Sequence, residues 1–197
     1  MTAADDIESL EREMRPGKCS VGGFLGPTES LARVIADDER TLARLGIPHE
    51  LIADSIEQIW SAAWKEMHSL PFEEMRKRST DFPTLHRPES IPRFSSDRLP
   101  DPGLGCRIGE IRVFFVQYRG FQICPWGCGA FGGADFMMLN RTTGESFCAP
   151  DLIIHLIRAH HFFEGRQSPY RVDPEKVIRT LEIRPSENDS GSFRPLI

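Results

Sequence analysis

From Thr28 to Leu45 apolar side chains recur at helical spacing: Leu31, Val34, Ile35, Leu42 and Leu45 share one face, with charged residues on the other. Thr28 is placed to cap this helix and Gly46 to stop it. A second stripe follows Ile47-Pro48 and runs to about Met67, through Ile52, Ile56, Ile59, Trp60, Ala63 and Met67. The link is so short that an antiparallel helical hairpin is expected. Trp60 lies on the stripe and Trp64 at its edge, which points to packing and away from ligand stacking. The first 26 residues hold one short helix, Asp6–Met14, then Pro16, Gly17 and Gly22-Gly23, and read as a loose arm. The helical pattern resumes over residues 71–77.

Periodicity is lost in the proline-rich stretch 83–104, a linker or surface strap and the expected domain boundary. After Gly105 the period changes to two. Ile111–Tyr118 and Phe121–Cys124 are predicted strands joined by a turn at Arg119-Gly120, and Asp135–Asn140 pairs with Ser146–Cys148 around residues 141–144. Helices are predicted over Leu152–Phe163, with Pro150 near its start, and over Asp173–Glu182, with Asp173 as cap and Pro174 at the first helical position. The fold class is therefore α+β. Residues 1–82 form the helical hairpin region with its arm, 83–104 the linker, 105–184 a β-plus-helix module, and 185–197 a tail expected to be disordered.

Composition narrows the functional classes. Hydrophobic residues make up 40% of the 197, enough for a real core, and no apolar run reaches the length of a membrane span. The polar, acidic N-terminus does not resemble a signal peptide, so a cytoplasmic location with reduced thiols is expected. Net charge is −5. Residues 1–82 carry 10 Lys/Arg against 16 Asp/Glu, and residues 105–197 carry 11 against 10. That balance disfavours nucleic acid as a partner.

The chemistry concentrates between Cys124 and His160. Cys124-Pro-Trp-Gly-Cys128 puts two thiols at the end of a strand, and His155 and His160 follow on the next helix. Both spacings lie within zinc-ligand ranges, and in a reducing compartment they favour a metal over a disulfide. On an ideal helix a five-residue step turns about 140°, so convergence of the two imidazoles calls for adjustment at the helix end. His161 is an alternative to His160, and Cys148 to one histidine. Cys19 and Cys106 have no neighbour at metal spacing.

A strand pair with two cysteines followed by a helix with two histidines resembles a C2H2 zinc finger, over roughly Gly120–Gly165. The ligands that the resemblance implies are Cys124, Cys128, His155 and His160. The chain departs from the finger in having 26 residues between the second cysteine and the first histidine, where the finger has about 12. The resemblance implies no particular family.

Four ligands would close the zinc shell, which favours a structural ion over a catalytic one. The helix opens Asp-Leu-Ile-Ile-His-Leu-Ile, too apolar to read DNA bases. The reading is a zinc-binding adaptor, more plausibly a non-enzyme, whose partner is another protein. The acidic hairpin and the aromatic and arginine-rich loop 162–171 are its candidate surfaces. The alternatives are a nucleic-acid-binding zinc module using Arg112, Arg119, Arg141, Arg158, Arg166 and Arg171, and a zinc-dependent hydrolase with Glu145 or Glu164 beside an open site.

Overall fold

The computed structural model describes residues 3–78 and 104–185. It holds helices α1 (Ala3–Glu13), α2 (Leu31–Leu45), α3 (His49–Ser69) and α4 (Phe72–Arg78), strands β1 (Cys106–Ile108), β2 (Ile111–Ile123), β3 (Phe131–Asn140) and β4 (Ser146–Pro150), then α5 (Ile153–His160) and α6 (Pro174–Leu181). The strands form one antiparallel sheet in the order β1-β2-β3-β4. The protein is α+β, as the change of period predicts. Most of the segment 83–104 and of the tail lies outside the described residues.

Alternation along the strands sends Val113, Phe115, Phe136, Met138, Phe147 and Ala149 into the main core, where they meet the helices. Phe114, Val116 and Met137 point the other way, into a smaller cluster with Leu104, Leu139 and Cys148. Burial on both faces explains the unbroken apolar runs Val-Phe-Phe-Val and Phe-Met-Met-Leu. α3 lies over α5 and the β1–β2 end of the sheet, and Trp60 packs on Phe115 and Phe136 with centroids 5.3 and 5.2 Å apart.

α2 and α3 follow each other closely and pack in turn on later elements, α2 on α6 and α3 on α5. The main core draws residues from α2 and α3 and from the sheet, α5 and α6 alike. Several local expectations need correction. α2 begins at Leu31, beyond the expected Thr28 cap, and its first N–H is met by the Glu11 carboxylate of α1 at 2.7 Å. The segment 14–25 is anchored, contrary to the loose arm expected there: Met14, Phe24 and Leu25 are fully buried, and the Phe24 N–H donates to the Met14 carbonyl at 2.8 Å. No hairpin forms at Arg119-Gly120, where β2 runs on as one strand. Residues 118–121 instead make a wide irregularity between the pairs Gln117↔Ala134 and Gln122↔Gly132, and the real reversal comes at Cys124–Ala130. α5 stops at His160 because His161 turns left-handed (φ 53°), which drops Phe162 and Phe163 out of the helix and into the core. α6 has the expected cap, with the Asp173 carboxylate accepting from the Lys176 N–H at 3.1 Å.

Candidate metal centre

The β2–β3 reversal is a knuckle. The Cys124 N–H donates to the Ala130 carbonyl at 2.8 Å, and the Gly127 N–H donates to the Cys124 carbonyl at 3.0 Å. Gly127 and Gly129 take φ of 69° and 85°, the left-handed conformation that lets the chain fold back within so few residues. Cys124 sits almost fully buried at the strand end, and Cys128 is exposed at the far side of the turn. α5 brings His155 in its first turn and His160 as its last residue.

The sulfurs of Cys124 and Cys128 and one nitrogen each of His155 and His160 all lie within 4.8 Å of one another. Cys124 Sγ is 3.4 Å from His160 Nε2, Cys128 Sγ is 3.1 Å from His155 Nε2 and 3.8 Å from His160 Nε2, and the two Nε2 atoms are 3.2 Å apart. A tetrahedral ion with metal–sulfur bonds of about 2.3 Å and metal–nitrogen bonds of about 2.05 Å needs edges of about 3.5 Å for S···N and about 3.3 Å for N···N. The observed separations lie within about half an ångström of those edges, so the cluster is compatible with a metal ion. The imidazoles meet almost edge to face, with planes at 76°.

The protonation chemistry suits the same purpose. Burial is the main cause that holds both imidazoles below the usual histidine range. Arg158 adds to it at His155, and His155 and His161 add to it at His160. Both rings are therefore neutral and free to donate a lone pair near neutral pH. Burial pushes the Cys124 thiol up to about 11, whereas the backbone N–H of Ala130 lowers Cys128.

The alternatives to this set lie elsewhere. His161 stacks on His49 at 4.1 Å and has Glu39 3.6 Å from its Nδ1, and Cys148 belongs to the second apolar cluster. Cys19 is exposed and Cys106 buried in β1, and neither joins the cluster. Glu145 pairs with Arg179 and Glu164 with Ser168, and no carboxylate belongs to the cluster among the described residues.

Sequence reasoning missed Trp126. Its ring lies flat on that of His160 and meets Phe162 in a T-shaped contact. The signal was its position between the two cysteines. The glycine-rich stretch 129–133 also has a role in the site: the carboxylate of Asp151, just before α5, accepts from the Gly133 N–H at 3.2 Å, so the helix start packs directly on β3. In the loop 162–171 both phenylalanines are buried and Arg171 pairs with Asp38, while Arg166, near Asp37, stays largely exposed. No helix among the described residues is long and apolar enough to cross a membrane. No protein-family model, characterised protein or solved structure shows a significant match to this chain.

Proposed function

We propose that the chain is an adaptor built around one structural zinc ion, held by Cys124, Cys128, His155 and His160, and that its partner is another protein. The observation that carries this reading is the convergence of the four ligand atoms within 4.8 Å. Two sulfurs and two imidazole nitrogens gathered this closely suit zinc better than the hard, oxygen-seeking cations. The ion ties the β2–β3 knuckle to both ends of α5 and fills a coordination shell with protein ligands alone.

Support for a protein partner comes from the surface beside the knuckle. Phe121 and Phe131 are each 68% exposed and Ile123 55%, and the two phenyl rings lie 5.5 Å apart. A cluster of large exposed apolar groups suits a protein interface. A nucleic-acid role is less well supported. Arg158 is paired with Asp54 and Glu57, Arg166 with Asp37 and Arg171 with Asp38, while Arg112 donates to the Leu104 carbonyl.

Thermal melts of metal-loaded and chelator-treated protein test the role of the ion. A structural zinc predicts a marked fall in melting temperature on chelation, because coordination energy is folding energy. An unaltered melt would remove the structural role and shift the weight to a hydrolase.

A further inference from the structure

We infer that Glu164 is carried as a neutral carboxylic acid, and that its proton closes a clasp between residues 22–29 and the α5–α6 connection. Glu164 is 1% exposed and lies four residues beyond His160, in a left-handed turn with φ 65°. Its Oε2 is 2.5 Å from Ser168 Oγ. The same hydroxyl lies 3.0 Å from the Gly23 carbonyl oxygen and 3.2 Å from the Tyr170 N–H.

A serine hydroxyl has one proton to give and two lone pairs to offer. The Gly23 carbonyl only accepts and the Tyr170 N–H only donates. An ionised Glu164 would also only accept, leaving two buried oxygens to compete for one proton. With a neutral acid these three bonds are all compatible: Glu164 donates to Ser168, Ser168 donates to Gly23, and Tyr170 donates to Ser168. Buried polar groups are matched in this way because an unmatched one is costly.

The charges around the acid favour the same state. Asp135 of β3 disfavours a second negative charge, and Glu29 lies on the opposing segment, accepting from the Gly26 N–H at 2.8 Å. Arg171 is the facing cation. It donates to the backbone carbonyl of Glu164 at 2.6 Å, but its charge is committed to Asp38 through two bonds of 2.6 and 2.5 Å. Burial is the largest influence and pushes Glu164 up to about 8, with Asp135 raising it further and Ser168 and Arg171 opposing.

The clasp joins distant parts of the chain. Beside the Ser168–Gly23 bond, the Gly165 N–H donates to the Phe24 carbonyl at 2.7 Å, and the Gln167 N–H to Glu29 at 3.3 Å. Loss of the Glu164 proton would redirect the Ser168 hydroxyl to the carboxylate and leave Gly23 without its donor. For an acid raised by folding, the unfolded chain releases its proton first. Stability therefore falls as pH rises from the ordinary glutamate range, about 4.5, to about 8, and levels off above that.

The test compares metal-loaded wild type with Glu164→Gln, whose amide donates to Ser168 as the acid does. Both proteins hold the same metal site, so its own pH dependence cancels in the difference. The variant's melting temperature relative to wild type should rise steadily between about pH 5 and about pH 8. Carbon-13 NMR of the glutamate carboxyls should show one protonated carboxyl at neutral pH, absent in the variant. A melting difference that does not change with pH, or a Glu164 carboxyl already ionised at neutral pH, would overturn the inference. The NMR measurement on wild type decides the matter even if the variant does not fold.

Discussion

Trp126 lies flat against His160, with ring centroids 4.0 Å apart and planes 4° from parallel. The indole comes from the turn between the two cysteines and the imidazole from the end of α5, so the stack joins the two halves of the candidate metal centre. The indole also meets the fully buried Phe162 in a T-shaped contact. Trp126 therefore holds the His160 ring in the orientation that directs Nε2 at the other three candidate ligand atoms. Trp126→Ala should weaken zinc binding about tenfold or more, the usual scale for groups that orient a ligand. Trp126→Phe, which keeps a flat ring, should lose less. Competition with a chromophoric chelator measures both, and equal affinities for wild type and Trp126→Ala would remove the positioning role.

Gly132 should not tolerate a side chain. A Cβ there would lie 2.2 Å from Asp151 Oδ1, 2.7 Å from the backbone nitrogen of Leu152 and 2.9 Å from its Cβ. The carboxylate could move aside, but the Leu152 backbone leads directly into α5 and His155. Gly132→Ala should destabilise the fold by about 1–3 kcal/mol, as overpacking generally does, and should also lower metal affinity. Denaturant melts and zinc titration check the two effects separately.

The buried pair Asp38–Arg171 joins α2 to the connection before α6. Its side chains are only 3% and 15% exposed, so solvent screens it little. Asp38→Ala leaves a guanidinium buried without its partner and should cost about 3–5 kcal/mol. Arg171→Lys cannot reproduce the two-pronged bond and should cost about 1.5–3 kcal/mol. Equilibrium unfolding in urea gives both values, and a loss under about 1 kcal/mol for Asp38→Ala would contradict the role assigned to the pair.

Much of this organisation was legible in the residues. The stripes of α2 and α3 and the Asp173-Pro174 start of α6 follow from local rules that act within a few residues, and so does the spacing of the four candidate ligands. What escaped depends on the third dimension. Arg119-Gly120 has turn chemistry, but the pairing of Ile123 with Phe131 carries β2 through it, and the knuckle makes the reversal. Glu11 meeting the N–H of Leu31, and Arg171 meeting Asp38, link residues 20 and 133 positions apart, and no periodicity marks such partners. The segment 14–25 carries no periodic signal because its buried apolar side chains, Met14, Phe24 and Leu25, are too few to make a pattern.

Zinc uptake should release protons, and the cysteines should supply them. Burial places both imidazoles below their usual range, so they are already neutral at pH 7. Cys124, pushed up to about 11 by burial, holds its proton until the metal displaces it, while Cys128 is lowered by the Ala130 N–H. The release at pH 7 should thus be about one to two protons per ion. Acidification supplies competing protons, so metal-linked stability is present near pH 7 and is lost as pH falls toward 5, opposite in sign to the Glu164 effect. Calorimetric zinc titrations in buffers of different ionisation enthalpy give the proton count, and a count near zero would contradict this assignment.

The most direct test of the account is the metal content of protein purified without chelator. Elemental analysis should find zinc at close to one equivalent per chain, and Cys128→Ser should reduce it sharply. Well under one equivalent of any transition metal in folded wild-type protein would contradict the central claim.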